Sequence, residues 1–249
     1  MKTIVITGAS SGIGAALAKE YAEQNVYLGL LGRNSERLAE VEAACEAKGA
    51  KLKTASIDIC DKASMEDWLC HFDEQNPIDL LIANAGISGG SGGNEAESTY
   101  RIFDTNVQGV LHTILPVSRR MAARKAGQIA IVSSLAGIRG LPSAPAYAAS
   151  KAAVRSLGEG LRGQLGHSGV KVNVICPGYV KTPLTETNTF PMPFIMSPEK
   201  AAKIIRSGLS RNRSRIVFPW QLYVPLWFMA CLSTALTDWF FARLPAKVS

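Results

Sequence analysis

Apolar positions along this chain follow two rhythms. Short runs of β-branched and aliphatic residues occur at Thr3–Thr7, Val26–Leu31, Leu52–Ile57, Leu80–Ala83, Ile129–Ser133 and Val170–Cys176. Between them lie longer stretches with apolar residues three and four apart, such as Ile13–Glu23, Ser35–Lys48 and Ala146–Leu165. An unbroken apolar run fits a strand covered on both faces, and a stripe at helical spacing fits a helix that covers one of them. The alternation therefore predicts an α/β fold with a doubly wound parallel sheet joined by right-handed crossovers. No Gly-, Pro- or Ser-rich linker divides the chain, and Ser88–Gly93 is short enough to be a loop after the fourth strand. One domain is expected over residues 1–218, followed by an apolar C-terminal tail over 219–249.

Composition narrows the classes. With 47% hydrophobic and 19% charged residues, the chain is not disordered, and at 249 residues it can bury a core without disulfides or a structural metal. Five cysteines without C-x-x-C or zinc-like spacing read as free thiols of a reducing compartment. The apolar stretch after Met1-Lys2 breaks at Gly8, too early for a signal peptide, so a cytoplasmic location is expected. Lys and Arg total 27 against 20 Asp and Glu, but residues 195–249 hold eight basic and only two acidic side chains. The excess is local, which argues against a nucleic-acid partner. His71, His112 and His167 are far apart and lack partners at ligand spacing, so no metal site is expected. There is no Gly-x-Ser-x-Gly elbow and no Walker-type lysine.

The first strand runs directly into Thr7-Gly8-Ala9-Ser10-Ser11-Gly12-Ile13-Gly14, where a helix begins. Glycines let the backbone turn tightly and come close to a pyrophosphate, which the free amides of a helix N-terminus then bind. The spacing is Gly-x-x-x-Gly-x-Gly, and a glycine-rich turn by itself is also compatible with a plain tight turn. Tyr147 and Lys151 are four apart, so a helix places them on one face. An ammonium beside a phenol favours the phenolate and brings the hydroxyl nearer to working pH.

Together Thr7–Gly14, Asn84-Ala85-Gly86, Tyr147-Ala148-Ala149-Ser150-Lys151 and Pro177-Gly178 resemble, in order and spacing, the motifs of the classical short-chain dehydrogenases/reductases. The resemblance extends over about residues 1–210 and implies a Rossmann-type domain that binds a nicotinamide dinucleotide. It implies that Tyr147 is the general acid/base, that Lys151 lowers its pKa and holds the nicotinamide ribose, and that Ser134 hydrogen-bonds the substrate oxygen. Ser133 is the adjacent decoy. Asn106 matches the asparagine that holds a proton-relay water, although a structural residue at a helix kink would look the same. Gly8, Ser10, Ser11, Gly12, Ile13 and Gly14 then cradle the pyrophosphate. Asp58 and Ile59 match the pair that contacts adenine, Asn84, Ala85 and Gly86 lie along the cofactor, and Pro177, Gly178, Val180 and Thr182 match the segment that closes over the carboxamide.

Cofactor choice is read after the second strand, in Leu30-Leu31-Gly32-Arg33-Asn34. An acidic side chain there would accept hydrogen bonds from a ribose 2′-hydroxyl and repel a 2′-phosphate. Arg33 instead offers a cationic fork suited to phosphate, so NADP (as NADPH) is the expected cofactor.

The tail departs from the family pattern. Ile216–Leu236 contains no charge, follows Arg211, Arg213 and Arg215, and includes Trp220 and Trp227, with Trp239 just beyond. Its length permits a membrane span, but Pro219, Gln221 and Pro225 argue against one, and Ile216–Phe218 suits a last strand. A segment lying in the membrane interface, or a helix at a subunit contact or over the pocket, both fit. The reading is an NADP-dependent oxidoreductase that transfers a hydride between NADPH and a carbonyl or alcohol. The apolar loop Leu184–Ser197 favours a hydrophobic small-molecule substrate, and the family favours a homo-oligomer. A non-catalytic NADP-binding regulator and a nucleotide-sugar-modifying relative are the alternatives.

Overall fold

The computed structural model describes residues 2–89, 95–186, 188 and 190–241. Seven strands, β1 (Lys2–Thr7), β2 (Val26–Gly32), β3 (Lys51–Ser56), β4 (Leu80–Ala83), β5 (Gln128–Val132), β6 (Lys171–Pro177) and β7 (Arg215–Phe218), form one sheet. Their order is β3-β2-β1-β4-β5-β6-β7, and every neighbouring pair is parallel. The expected strands are present within one residue of their predicted ends, and Ile216–Phe218 does join the sheet. The connecting helices are α1 (Gly12–Tyr21), α2 (Ser35–Glu46), α3 (Lys62–Gln75), α4 (Glu95–Phe103), α5 (Gly109–Ala123), α6 (Pro145–Gly166), α7 (Pro183–Glu186) and α8 (Pro198–Ser210). A π turn, Asp104–Gln108, joins α4 to α5, and a 3-10 turn, Leu135–Gly137, follows β5.

Side chains alternate across a strand, so each strand feeds two cores. Ile4 and Ile6 of β1 pack with Leu28 and Leu30 of β2, against Leu17 of α1, Leu38 of α2 and Ile205 of α8. Val5 points the other way and packs with Ile129 and Ile131 of β5, against Met65 and Leu69 of α3, Ile114 of α5 and Val154 of α6. All of these are buried, each stabilising the fold by roughly 1.5–3 kcal/mol relative to exposure. Strand order reverses beside β1, whose neighbours are β2 and β4. The loops after β1 and β4 diverge there and open a crevice at the C-terminal edge of the sheet.

Two more helices, α9 (Trp220–Cys231) and α10 (Thr234–Phe241), follow β7. Leu222, Tyr223 and Leu226 of α9 pack on Leu135, Ile138, Val174, Cys176 and Val217. Trp220, Val224, Trp227 and Phe228 face outward, between 50% and 68% exposed. Among the described residues no helix is long and apolar enough to cross a membrane. Residues 90–93 of the loop expected at Ser88–Gly93, Thr187 and Thr189 of the loop Leu184–Ser197, residues 242–249 of the tail and the Trp239 side chain lie outside the described residues.

Candidate active site

β1 ends at Thr7, and the chain enters α1 through Gly8 (φ 67°) and Gly12 (φ 54°), a backbone region that side chains other than glycine rarely adopt. Space enforces the same choice. A Cβ on Gly8 would lie 2.8 Å from Cα of Ala85, and one on Gly12 would lie 2.8 Å from Cγ2 of Thr182. The Asn84 side chain donates from Nδ2 to the carbonyls of Thr7 (3.0 Å) and Gly8 (3.3 Å). The Thr7 hydroxyl in turn accepts from the amides of Asn84 (3.1 Å) and Ala85 (3.3 Å). Asn84-Ala85-Gly86 thus locks the glycine turn. Ser11 caps α1 by backbone only, without a side-chain hydrogen bond, which leaves the first-turn amides at the positive end of the helix for an anion. A crevice this closely lined by backbone fits a dinucleotide's pyrophosphate.

The crevice has a volume of about 320 Å³ and continues past Leu31, Gly32 and Arg33 on one side. The Arg33 guanidinium is 3.5 Å from Asp58, with side chains 62% and 43% exposed. Exposed pairs of this kind stabilise by about 0–1 kcal/mol, so Arg33 is readily turned toward a better anion. Asp58 also accepts from the Cys60 amide at 3.0 Å, and these bonds, with Arg33, hold its carboxyl below the usual range despite partial burial. Arg37 lies one turn into α2 and lines the same end. Sequence reasoning passed over it, although its four-residue spacing from Arg33 was readable.

At the other end the crevice reaches Val132, Ser133, Ser134, Tyr147 and Lys151. The Ser134 Oγ accepts from the Ala136 amide at 3.1 Å and donates to the Pro177 carbonyl at 3.5 Å, in the same part of the crevice lining as Tyr147. Ser133 faces away and donates to the Lys151 carbonyl at 2.7 Å. Lys151 is 4% exposed, and its Nζ donates to the Val132 carbonyl at 3.1 Å. Burial lowers its pKa to about 8. Tyr147 shifts the other way: burial raises its pKa, opposed by the nearby Ser134 hydroxyl. The expectation that Lys151 lowers the phenol is therefore outweighed here, because removing the hydroxyl from water penalises the phenolate more than the neighbours favour it.

Asn106 is fully buried in the π turn. Its Oδ1 accepts from the Ile87 amide at 2.8 Å, and its Nδ2 donates to the Ile87 carbonyl (2.8 Å) and to Ser150 Oγ (3.0 Å). Ser150 Oγ donates onward to the Tyr147 carbonyl at 2.8 Å. Both Nδ2 hydrogens and one Oδ1 lone pair of Asn106 are thus taken by protein partners, and the residue does not line the crevice. Gly14 is likewise behind the crevice, where a Cβ would run into the Gly8 carbonyl. The other expected residues, Ser10, Ile13, Ile59, Gly86, Pro177, Gly178, Val180 and Thr182 among them, line it. Thr185 was missed. It lines the crevice and donates from Oγ1 to the Val180 carbonyl at 2.7 Å, fixing the turn that carries Thr182.

A dinucleotide cradle that leads to a serine–tyrosine pair above a buried lysine defines an oxidoreductase site built for a nicotinamide cofactor. The family model for short chain dehydrogenases matches residues 2–191, and the chain belongs to that family of NAD(P)-dependent oxidoreductases acting on alcohol and ketone groups. It is 38% identical over 240 residues to an oxidoreductase of Myxococcus xanthus, covering 95% of each chain. It is 33% identical over 229 residues to an oxidoreductase of Mycobacterium tuberculosis, covering 90% of each. Among solved structures, a short-chain dehydrogenase from Sphingobium yanoikuyae in complex with NADPH superposes with a TM-score of 0.82 at 25% identity, covering 100% of this chain and 98% of the other.

Proposed function

We propose that the protein uses NADPH to reduce an apolar carbonyl compound, or NADP to oxidise the matching alcohol, with Ser134, Tyr147 and Lys151 at the reacting end. The observation that carries this reading is that Ser134, Tyr147 and the buried Lys151 line the same crevice as the glycine turn, with the Lys151 amine 5.9 Å from the Tyr147 ring centroid. A bound reduced nicotinamide supplies the hydride. Tyr147 gives its proton to the substrate oxygen, and the raised pKa keeps the phenol protonated at neutral pH. The Ser134 hydroxyl, aligned by the Ala136 amide, steadies that oxygen as charge develops. Lys151, 5.9 Å from the centroid of the Tyr147 ring, offsets the negative charge left on the tyrosine. Asn106 acts from behind, holding Ile87 and, through Ser150, the Tyr147 backbone; a relay water would have to meet its main chain.

Arg33 and Arg37 at the adenosine end favour the 2′-phosphate, and no carboxylate replaces them at the end of β2. The apolar segment from Phe190 to Met196, with Tyr179 edge-on to Phe190 at 6.1 Å between ring centroids, favours a hydrophobic substrate. A non-catalytic nucleotide-binding regulator would have no use for Ser134, Tyr147 and Lys151 gathered in one crevice. The division into a catalytic module over 1–218 and a tail over 219–249 belongs to the same reading. So do a homo-oligomeric state, a cytoplasmic location and contact of the outer stripe of α9 with a membrane surface. Initial rates of ketone reduction with NADPH and with NADH, over lipid-like and polar carbonyls, test the assignment. Turnover confined to polar sugars or to NADH overturns it.

A further inference from the structure

The two reacting hydroxyls stand at the ends of one short segment. Ser134 begins it and Tyr147 follows it, with the 3-10 turn and an irregular stretch, 138–144, between them. The first part is well tied. Gly137 donates its amide to the Ser134 carbonyl at 3.0 Å, and the Arg155 Nε donates to the Gly137 carbonyl at 3.1 Å. The irregular stretch then reaches across to the C-terminal helices through Arg139. The Arg139 Nη2 donates to Thr237 Oγ1 at 2.9 Å and lies 3.4 Å from Asp238 Oδ1, both on α10.

Thr237 is unusual for its helix. It is 2% exposed, whereas Leu236 beside it is 69% exposed. Its hydroxyl hydrogen goes to a carbonyl at the start of α10, that of Ser233 just before it at 3.3 Å or of Thr234 at 3.2 Å, which leaves the oxygen lone pairs for Arg139. A buried hydroxyl with every bond made is costly to disturb. Below this contact, Leu222 and Leu226 of α9 pack on Leu135 and Ile138, so the segment rests on the tail along its first half as well.

We propose that Arg139 is a positioning residue for the reaction: bound to Thr237 and Asp238, it braces the segment joining Ser134 to Tyr147 against α10. The nucleotide cradle, built on β1, β2 and β4, does not depend on this brace. The proposal rests on the assignment of Ser134 and Tyr147 made above.

The test is a cycle of Arg139→Leu, Thr237→Val and the double variant, in the full chain. Each single variant is expected to lower kcat/KM for a lipid-like ketone by about tenfold, with most of the change in KM. The double variant should be no worse than Arg139→Leu alone, because one contact is removed twice. NADPH affinity, measured by fluorescence titration, should stay within about twofold of wild type. Arg139→Lys, which keeps one donor, should recover part of the loss. Asp238→Asn should have the smallest effect, since Asp238 is 70% exposed in that pair. Unchanged kcat/KM in Arg139→Leu, losses that multiply in the double variant, or an equal loss of NADPH binding would each overturn the proposal. Should Arg139→Leu fail to fold, Thr237→Val carries the same comparison. Tyr147→Phe in parallel separates the two levels. If it stays fully active, the catalytic assignment fails; if it is inactive while Arg139→Leu matches wild type, only the brace fails.

Discussion

Lys151 Nζ lies 5.9 Å from the centroid of the Tyr147 ring, and its hydrogen bond at 3.1 Å goes to the Val132 carbonyl. The amine is held beneath the phenol by backbone, and both groups titrate in opposite directions from their ordinary values for the same reason, burial.

That gives the lysine a stability signature. Its folded pKa is about 8, below the ordinary lysine value of 10.5, so between those values the unfolded chain binds a proton that the folded chain has released. Stability then rises with pH across that window, and the cost of the buried charge is fully present below it. Urea unfolding of wild type and Lys151→Met at pH 7 and pH 9.5 should show the wild type gaining on the variant at the higher pH. A difference that stays flat or reverses would mean that Lys151 is better solvated than its position implies.

Tyr147→Phe removes the proton donor and keeps the ring. The expected loss in kcat is about 10²–10⁴, the range for general acid–base catalysis, with NADPH affinity retained. Ser134→Ala should cost about 10²–10³, as for a lost oxyanion donor. Ser133→Ala should act through stability, because the buried Ser133 hydroxyl donates to the Lys151 carbonyl, a bond that alanine would leave unmade. Thermal melts and rates of the two serine variants distinguish these roles, and a larger rate effect at Ser133 would reverse the assignment.

How much of this was legible in the sequence depends on what burial adds. The strands were readable because both faces of a parallel sheet are apolar, and the glycine turn because only glycine tolerates the φ of Gly8 and Gly12. The choice of Ser134 over Ser133 came from motif spacing; both serines line the crevice, and the Ser133 hydroxyl is engaged by the Lys151 carbonyl. Three things were hidden. The direction of the Tyr147 shift depends on desolvation, which spacing does not report. The engagement of the Asn106 side chain depends on Ile87, brought near by the fold from 19 residues away. In α9, Leu222 and Leu226 pack inward while Trp220 and Trp227 do not, and a run apolar on every side carries no periodicity to tell them apart.

Cofactor preference rests on a charge that the sequence placed and the structure leaves accessible. Arg33→Asp replaces a donor fork with a carboxylate beside Asp58, only 3.5 Å from the present guanidinium. A charge-assisted hydrogen bond contributes about 1.5–3 kcal/mol, so NADPH should bind about 10–100-fold more weakly, with NADH affected little or improved. Arg37→Ala should weaken NADPH in the same sense and to a smaller degree. Dissociation constants for both nucleotides decide the matter, and a wild type that binds NADH as tightly as NADPH rules out the preference.

The outer face of the tail makes the last prediction. Trp220, Val224, Trp227 and Phe228 form a stripe on α9 that continues through Leu232 and Leu236, the last 69% exposed, and α9 contains no Asp, Glu, Lys, Arg or His. Trp at the boundary of an apolar stripe suits a headgroup region, and the exposed Arg211 and Arg213 precede β7 on the way to it. Arg215 does not contribute, since it is bound to Glu159 and to Tyr223. If this stripe lies on a lipid surface, the full chain should float with vesicles containing anionic lipid at low salt. Flotation should weaken but persist at high salt, because screening over a Debye length of about 10 Å at 0.1 M removes the arginine attraction and leaves the apolar one. Trp227→Glu should abolish flotation without changing the elution volume on sizing, since that side chain is half exposed and outside the α9 packing face. A variant that instead dissociates an oligomer would assign the stripe to a second copy of the chain, and a wild type that never floats with anionic vesicles would rule out the lipid surface.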